Sequence, residues 1–400
     1  MVYKMDHYDV CIIGAGAAGL SAGTAAAERG HKVIIVDKNK KAGMKLYATG
    51  NGKCNIANSH MAFCCYYDSS FAAEILGDEP YKEVIDFMKE LGVECVSKSG
   101  YYYPRSGQAS TVVWALLDRL RFLGAEILLN TAVDHIEIKD GRYIIHKNGK
   151  ALLSADKLII ATGGFSMPSL GAIDENTATG LYADLGLKTA PAKPMLCPVI
   201  TKEDLTCLAG VRTGANVSIY ADGKLIEEYG EVQFTDYGLS GIVIFNMSYY
   251  EPEKLYLDTL NGISEEEFVR SFRRLKESDP QRSLHAFMNG YLNDKLAEYI
   301  ISVKCGYSTK TKLNDAPEDA AVKLYKSAAK LEFTFKQLYG YEHSQVTKGG
   351  ILTSMINPED MRVKGVPGLY AAGEAVDVAG KCGGYNLMFA IISGRKAGRS

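Results

Sequence analysis

The hydrophobic pattern of the chain alternates between short apolar runs and amphipathic segments, which is typical of strands and helices that follow one another in an α/β protein. The apolar run Val10–Ile13 precedes a glycine-rich turn, an alanine-rich segment over 17–29 and a second apolar run, Val33–Val36. Gly30 is predicted to end the intervening helix. This order predicts a β-α-β unit whose strands are parallel and buried.

The turn between the first strand and this helix fits G-x-G-x-x-G and comprises Gly14, Ala15, Gly16, Ala17, Ala18 and Gly19. Gly14 permits a tight turn, Gly16 lets the backbone approach a pyrophosphate, and Gly19 lets the helix pack closely. The helix N-terminus would point its N–H groups at that pyrophosphate. Asp37 ends the second strand, where an acid accepts hydrogen bonds from an adenosine ribose.

Two alternatives exist for this segment. One is a glycine turn that only packs a helix against a sheet. The other is a signal peptide or membrane segment, because residues 10–27 are nearly all apolar. The segment is rich in Gly and Ala and is broken by a turn signature, so the sequence favours a dinucleotide site.

Further glycine-rich stretches follow strand-like sequence. Residues 48–55 are dense in Gly and Asn, which favour positive φ, and with Lys45 they form either a second set of donors or a solvated basic loop. The predicted strand Leu158–Ala161 ends in Thr-Gly-Gly, and the later apolar run 369–372 ends at Gly373-Glu374. A glycine turn at 383–384 opens a predicted C-terminal helix.

The pattern between these blocks predicts the domain organisation. Helices are expected over 81–91 and 109–123 and a strand over 126–130, whereas 196–250 is β-rich and 264–328 is polar and helical. We predict three domains: a Rossmann-like domain over 1–194 and 347–400, an inserted β-rich, barrel-like domain over 195–262 and 329–346, and a small helical domain over 263–328.

Composition narrows the classes of function. The chain of 400 residues is 47% apolar with a net charge of −2, which predicts a globular protein without a basic surface for nucleic acid. No stretch is long and apolar enough to span a bilayer. The nine cysteines include no C-x-x-C pair and no spacing that suits zinc, so we predict reduced thiols, a cytoplasmic location and no metal site.

Seven blocks together resemble one family. In chain order they are GAGAAG with Asp37, ATGNGKCN, IIATGG, FTDYGLSG, VTKGGI, LYAAGE and CGGYNLMFA. The chain is similar along nearly its whole length to the HI0933-like flavoproteins, which include BaiN-type bile-acid reductases and aminoacetone oxidases. The resemblance implies FAD and a two-dinucleotide-binding-domain-like core that carries an inserted β-rich domain and a small helical domain.

The resemblance also implies which residues contact FAD. These are Gly14, Ala15, Gly16, Ala17, Ala18, Gly19, Asp37, Lys38, Lys45, Gly50, Asn51, Gly52, Lys53, Cys54, Asn55, Val133, Ala161, Thr162, Gly163, Gly164, Gly373, Glu374, Asp377, Gly384, Asn386 and Leu387. The chain departs from the family pattern at several positions. Asp37 replaces the commoner Glu, and Lys53 replaces Arg and lacks its planar fork. Asp236 and Ile242 stand where His and Pro are common, so the resemblance alone does not fix the substrate specificity.

Three functions are compatible with this resemblance. The first is reduction of an electron-poor C=C bond in a small molecule, an enone of steroid or bile-acid type, by hydride from flavin N5 with Tyr237 or Tyr385 as proton donor. NADH or NADPH would bind transiently, because the sequence holds no second dinucleotide fingerprint. The second is an oxidase of a small amine such as aminoacetone. The third is a flavin redox sensor that uses Cys54 and Cys382. For each tyrosine the sequence favours a packed or surface residue over a proton donor, and the oligomeric state stays open.

Overall fold

A computed structural model describes residues 5–60 and 65–400, which form two compact units: residues up to Pro194 with Ser344–Ser400, and Met195–His343. The strands in chain order are β1 (Asp6–Ile13), β2 (Val33–Val36), β3 (Ala57–Asn58), β4 (Cys95–Lys98), β5 (Tyr101–Pro104), β6 (Glu126–Leu128), β7 (His135–Lys139), β8 (Arg142–Lys147), β9 (Lys150–Ile160), β10 (Thr189–Met195), β11 (Val199–Thr201), β12 (Arg212–Ala221), β13 (Lys224–Phe234), β14 (Gly238–Ser240), β15 (Lys254–Asp258), β16 (Leu331–Leu338), β17 (Val346–Ile351) and β18 (Leu369–Ala371). The helices are α1 (Ala17–Glu28), α2 (Met44–Ala48), α3 (Ser69–Leu76), α4 (Pro80–Glu90), α5 (Ala109–Phe122), α6 (Glu175–Asp184), α7 (Ile242–Met247), α8 (Glu265–Ser278), α9 (Leu284–Met288), α10 (Asp294–Tyr299), α11 (Ala320–Ala329) and α12 (Tyr385–Arg399).

The first unit is built on a seven-stranded sheet with the order β6-β2-β1-β9-β8-β7, in which β18 also pairs with β9. β1 lies parallel between β2 and β9, with Cys11 opposite Ile34 on one side and Leu158 on the other. Every residue of β2 is buried, as the continuous apolar run predicts. The predicted α/β class and the Rossmann-like β-α-β unit are therefore confirmed.

Strand β9 differs from the expectation. The sequence predicts a separate strand at Leu158–Ala161, but the structure continues one strand from Lys150 to Ile160. Its first half pairs antiparallel with β8, with Ala155 opposite Tyr143, and its second half pairs parallel with β18. No glycine or proline interrupts this segment, so the hairpin strand runs directly into the sheet.

The helix boundaries follow the sequence closely. The helix predicted over 17–29 ends at Glu28, and Gly30 follows with φ of +83°. The helices predicted over 81–91 and 109–123 are α4 and α5, each displaced by a single residue at one end or both. The strand predicted over 126–130 ends earlier, at Leu128, and Asn130 has φ of +52°, which an extended strand does not allow.

Glycines bring α1 and α12 into backbone contact. A Cβ on Gly394 would lie 2.3 Å from the carbonyl oxygen of Ala18, and one on Gly398 would lie 2.1 Å from that of Ala22. The two helices therefore pack at a distance that only glycine permits. This contact supports α1 behind the glycine-rich turn.

The second unit contains a closed barrel with the strand order β11-β14-β13-β12-β15-β16. The β12–β13 hairpin turns at Asp222-Gly223, where both residues have the positive φ that an Asp-Gly hairpin turn requires. Phe234 and Phe333 meet inside, with ring centroids 5.9 Å apart.

Helices α8–α11 share their apolar core with this barrel. Ser264 caps α8 by accepting a hydrogen bond from the Glu267 N–H at 3.2 Å, a role for which serine is well suited. Phe268 and Phe272 pack edge-on against Phe287 at 5.2 and 5.1 Å. The segment that the sequence predicts as a helical domain over 263–328 thus forms one compact unit with the barrel. Across residues 5–60 and 65–400, no helix has the length and apolar character to cross a membrane.

Candidate dinucleotide site

The glycine-rich turn after β1 is held in a conformation that requires two of its glycines. Gly14 has φ of +109°, and a Cβ there would lie 2.3 Å from the carbonyl oxygen of Ala161. A Cβ on Gly19 would lie 1.8 Å from the Gly14 carbonyl oxygen. Gly16 is different, because a Cβ there would meet no protein atom within 4 Å. The open side of Gly16 is where a ligand can approach the backbone.

The N-terminus of α1 begins at this open side. Gly16 is its N-cap residue, no side chain caps it, and its first turn contains no acidic residue. The first N–H groups of a helix need an outside acceptor, and the helix dipole favours a negative one. The arrangement suits an anion such as a pyrophosphate.

Asp37 lies against the same turn from the end of β2. One carboxylate oxygen accepts a hydrogen bond from the Ala15 N–H at 2.6 Å, and the other accepts from the Asn39 N–H at 2.7 Å. Lys38 next to it donates to the Ala172 carbonyl oxygen at 2.5 Å. The acid is therefore fixed beside the turn, as the fingerprint predicts.

A cavity opens between this turn and the segment before β7. One part of its lining is apolar and the other carries the acid and a hydroxyl; it includes Gly14, Asp37, Lys38, Val133, Thr162 and Leu181. Val133 is buried, and the resemblance implies that it lies near the adenine. An apolar wall beside a carboxylate suits the ring and the ribose of an adenosine.

Tyr182 on α6 supports this cavity, and the sequence did not indicate it. Its hydroxyl lies 2.9 Å from the Thr162 hydroxyl. Burial raises the pKa of Tyr182 to about 12. The phenol therefore stays protonated at neutral pH. In the sequence this residue is only one buried position on a helix, so no pattern distinguishes it.

Lys45 and Glu374 bring together two of the predicted segments. The Lys45 ammonium lies 3.0 Å from one Glu374 carboxylate oxygen, and the other oxygen accepts a hydrogen bond from the Thr347 N–H at 2.8 Å. A Cβ on Gly164 would lie 2.5 Å from both the Glu374 carboxylate and the Thr347 hydroxyl. The glycine after Thr162-Gly163 therefore makes room for this polar cluster.

A buried hydroxyl cluster extends from Thr347. Its oxygen accepts a hydrogen bond from the Phe165 N–H at 2.7 Å and lies 3.1 Å from the Ser166 hydroxyl. The Ser344 hydroxyl donates to that of Ser166 at 2.7 Å. These contacts fix the loop after β9 against β17. The sequence did not indicate the two serines, because isolated hydroxyl residues carry no periodic signal.

The loop over 50–55 has the positive φ values that its glycine and asparagine content predicts. Gly50, Asn51 and Gly52 have φ of +56°, +53° and +80°, and Cys54 has φ of +58°. Cys54 is fully buried, and burial raises the pKa of its thiol to about 11. A protonated, enclosed thiol reacts slowly with oxidants, which disfavours Cys54 as a redox sensor. Lys53 is exposed.

The turn that precedes α12 is held by its own side chains. Asn386 accepts a hydrogen bond from the Gly380 N–H at 2.7 Å and donates to the Gly380 carbonyl oxygen at 2.8 Å. Asp377 accepts from the Gly349 N–H at 2.9 Å, and burial raises its pKa. Gly384 is the N-cap residue of α12 with φ of +93°, and Leu387 is half-buried in the first turn.

The two tyrosines predicted as proton donors have different environments. Tyr385 is buried, and its hydroxyl donates to the His60 carbonyl oxygen at 2.9 Å. Its ring meets that of Tyr66 edge-on at 5.9 Å, so these contacts favour the packing alternative. Tyr237 belongs to the second unit, 4.2 Å from Tyr339 between ring centroids, and burial raises its pKa. Its catalytic role stays a prediction.

The first unit fits the dinucleotide part of FAD. Gly16 leaves open space for a ligand, which a Cβ at this position would partly fill. The N-terminus of α1 has no side-chain cap, and Asp37 lies beside both. The cavity at Val133 adds the apolar wall that an adenine requires. These residues would hold the pyrophosphate and the adenosine. In the described part of the chain, no three His, Cys, Asp or Glu residues cluster as a metal site would require.

Comparisons with known proteins identify the family of the chain. A family model described as "HI0933-like protein Rossmann domain" matches residues 8–400. A 3-dehydro-bile acid delta(4,6)-reductase of Clostridium scindens is 31% identical over 97% of this chain and 98% of its own length. A ribosomal RNA dihydrouridine synthase of Escherichia coli K12 is 28% identical over 97% of this chain and 96% of its own.

Among solved structures, 3-ketosteroid-Δ4-(5α)-dehydrogenase of Rhodococcus jostii RHA1 shares the fold. Its TM-score is 0.50 at 17% identity, over 100% of this chain and 98% of that one. The family match confirms the resemblance that the sequence blocks predict.

Proposed function

The chain belongs to the HI0933-like family and is an FAD-dependent oxidoreductase, and we propose that it reduces a C=C bond conjugated to a carbonyl at the expense of NADH or NADPH. The observation that carries the proposal is the full-length match to a 3-dehydro-bile acid delta(4,6)-reductase. The double bonds that this name specifies lie in conjugation with a 3-oxo group. A 3-oxo-steroid with such double bonds is therefore the first candidate substrate.

The residues of the first unit supply the cofactor site for this reaction. The N-terminus of α1 and the open side of Gly16 would bind the pyrophosphate, and Asp37 would accept hydrogen bonds from the ribose. When bound, FAD supplies a carrier that takes a hydride from a nicotinamide and delivers it to an organic acceptor. The Lys45–Glu374 pair would fix α2 and the turn after β18, which would border the remaining part of the cofactor.

The reaction also needs a proton. Overall, the nicotinamide loses a hydride, the β-carbon of the substrate gains one, and the α-carbon takes a proton. A hydroxyl hydrogen-bonded to the carbonyl oxygen would favour both transfers. Tyr237 is the better candidate, because the hydroxyl of Tyr385 already donates to a backbone carbonyl. The raised pKa of Tyr237 keeps its phenol protonated, as a donor requires.

A second candidate substrate is a uridine of ribosomal RNA. The Escherichia coli relative, named a ribosomal RNA dihydrouridine synthase, matches over 96% of its own length. The C5=C6 bond of uracil is conjugated to the C4 carbonyl, so its reduction has the same chemistry as the reduction of an enone. The same flavin site would thus serve either substrate, and the residues around it would determine which substrate binds.

The test begins with anaerobic titration of the purified protein with NADH and NADPH, followed by the visible flavin absorbance. We expect rapid bleaching by one of them. The reduced protein is then mixed with a 3-oxo-Δ4,6 steroid or with unmodified ribosomal RNA, and products are identified by a mass gain of two hydrogens. Tyr237→Phe should slow product formation without slowing the bleaching.

Three results would overturn the proposal. A colourless protein that does not take up added FAD would exclude the cofactor. A flavin that stays oxidised with both nicotinamides would exclude the reductase and favour the amine oxidase, whose product with aminoacetone would include hydrogen peroxide. Bleaching without reduction of any enone or uridine would exclude the proposed acceptor class.

A further inference from the structure

The second unit contains a cavity of about 410 Å³ beside α11 that lies outside the dinucleotide site. Four lysines line it: Lys304, Lys323, Lys326 and Lys330. The last three recur at intervals of three and four residues, which places them on one face of α11 and its C-cap. Lys304 ends the π-helical turn Ile300–Lys304. The cavity therefore concentrates positive charge in a chain whose net charge is −2.

Neutral backbone acceptors hold two of these lysines in position. The Lys304 ammonium donates to the Glu332 carbonyl oxygen at 3.1 Å, and the Lys323 ammonium donates to the Cys305 carbonyl oxygen at 2.8 Å. Neither carbonyl carries a formal charge. Each ammonium has three donors, so both keep hydrogen-bonding capacity for a ligand.

Neither the aromatic ring beside Lys330 nor the acids of the lining neutralise this charge. Lys330 lies 4.7 Å from the centroid of the Tyr256 ring. Of the two acids that line the cavity, Glu332 forms its ion pair with Lys254 at 2.6 Å, and Asp319 is exposed. Within residues 5–60 and 65–400, none of the four lysines forms an ion pair. Four positive charges thus face at most one acid that is not already paired.

We propose that this cavity binds the phosphodiester backbone of single-stranded RNA. Lysines bind phosphates as point charges, and such phosphate contacts carry no base specificity. The other lining residues include the apolar Val322 and Leu331 but no aromatic side chain, so the cavity offers no stacking surface for an adenine or a nicotinamide. An enzyme that modifies a base needs it out of the helical stack, which favours single-stranded RNA. This inference rests on the uridine form of the proposed function.

Binding is tested with FAD-loaded protein and a fluorescein-labelled, uridine-rich single-stranded RNA, by fluorescence anisotropy at several salt concentrations. The cavity variant carries Lys323→Gln, Lys326→Gln and Lys330→Gln. The control variant carries Lys224→Gln, Lys295→Gln and Lys336→Gln, three exposed lysines of the same unit that do not line the cavity. The two variants have the same net charge, and their melting temperatures show whether each is folded.

We expect the cavity variant to bind the RNA at least about tenfold more weakly than the parent protein. The slope of log K against log salt should fall by about 2, because each lost phosphate contact removes about 0.7. The control variant should stay close to the parent protein. Equal losses in both variants, or no RNA binding by the parent protein, would overturn the proposal. A cavity variant that loses affinity for NADPH and not for RNA would overturn it in favour of a dinucleotide.

The binding readout is separate from the reaction. RNA that binds through the cavity but is never reduced would leave this site in place and exclude the uridine form of the proposed function. If a cavity variant reduced uridine and kept its affinity for RNA, the result would support uridine reduction as the function and exclude the cavity as the RNA-binding site.

Discussion

Lys45 and Glu374 form an ion pair of 3.0 Å although 329 residues separate them along the chain. Their side chains are 28% and 21% exposed, so the pair is shielded from water more than most surface pairs. The Glu374 carboxylate also accepts the Thr347 N–H. The pair therefore joins α2 to the turn after β18 on the side of the sheet where the cofactor would lie.

We predict that this pair is energetically coupled. Lys45→Met and Glu374→Gln should each destabilise the protein, and the double variant should lose less than the sum, with a coupling energy of about 1–2 kcal/mol. Urea unfolding of the four proteins, followed by flavin release, measures it. The exposed pair Lys82–Glu79 is the control and should show no measurable coupling. Equal couplings for the two pairs would contradict the prediction.

The contact between α1 and α12 gives a second prediction. Gly394→Ala or Gly398→Ala would place a methyl group against a backbone carbonyl, so each should lower the free energy of unfolding by about 1–3 kcal/mol or more. Gly180→Ala is the matched control. Gly180 is an exposed glycine of α6 with no atom within 4 Å of the added Cβ, and its replacement should stabilise the helix by up to about 1 kcal/mol. A neutral Gly394→Ala would show that the helices are not in backbone contact.

The glycines of the dinucleotide turn should separate folding from binding. Gly16 has φ of −85°, which any residue adopts, and the space around it is open, so Gly16→Ala should change the stability of the FAD-free protein by less than about 1 kcal/mol. The same change should weaken FAD binding at least tenfold, because the methyl group would occupy the path of the pyrophosphate.

Gly19→Ala provides the contrast. Its methyl group would meet the Gly14 carbonyl oxygen, so the protein should lose stability even without FAD. Thermal melting of FAD-free protein and fluorescence titration with FAD distinguish the two effects. An unchanged affinity of Gly16→Ala for FAD would place the pyrophosphate elsewhere.

The sequence predicts the parts of the site that local geometry dictates. A glycine turn needs particular spacing, and a positive φ favours glycine or asparagine. The conformations of Gly14, Gly50 and Gly384 can therefore be predicted from their residue type. Contacts between distant segments leave no such mark. The Thr347–Ser166 contact joins residues 181 apart, and nothing in either segment specifies the other.

Strand pairing also depends on the whole fold. The continuity of β9 could not be predicted, because its first half pairs with β8 and its second half lies between β1 and β18, which is more than 200 positions later in the chain. The inserted segment shows the same limit. Its polar helices predict a separate domain, but their apolar faces pack on the barrel, and only the tertiary structure shows that shared core.

The buried thiols predict how stability depends on pH. Burial raises the pKa of Cys54 from 9.0 to about 11, and the pKa of Cys11 in β1 is raised by the same cause. An unfolded chain therefore releases these protons first. Stability should be unaffected by the thiols below pH 8 and should fall above pH 9, by about 1 kcal/mol per pH unit for each thiol.

Replacement of Cys54 tests this assignment. Cys54→Ser removes the titrating group with a side chain of similar size, so its melting temperature should fall less steeply between pH 8 and 10 than that of the parent protein, whatever its value at pH 7. Cys207→Ser removes an exposed thiol and should keep the parent's slope. If Cys54→Ser also kept the parent's slope, the Cys54 thiol would have to ionise equally in the folded and unfolded chain. That result would contradict the conclusion that Cys54 is protected from solvent, and with it the argument against a redox role for this thiol.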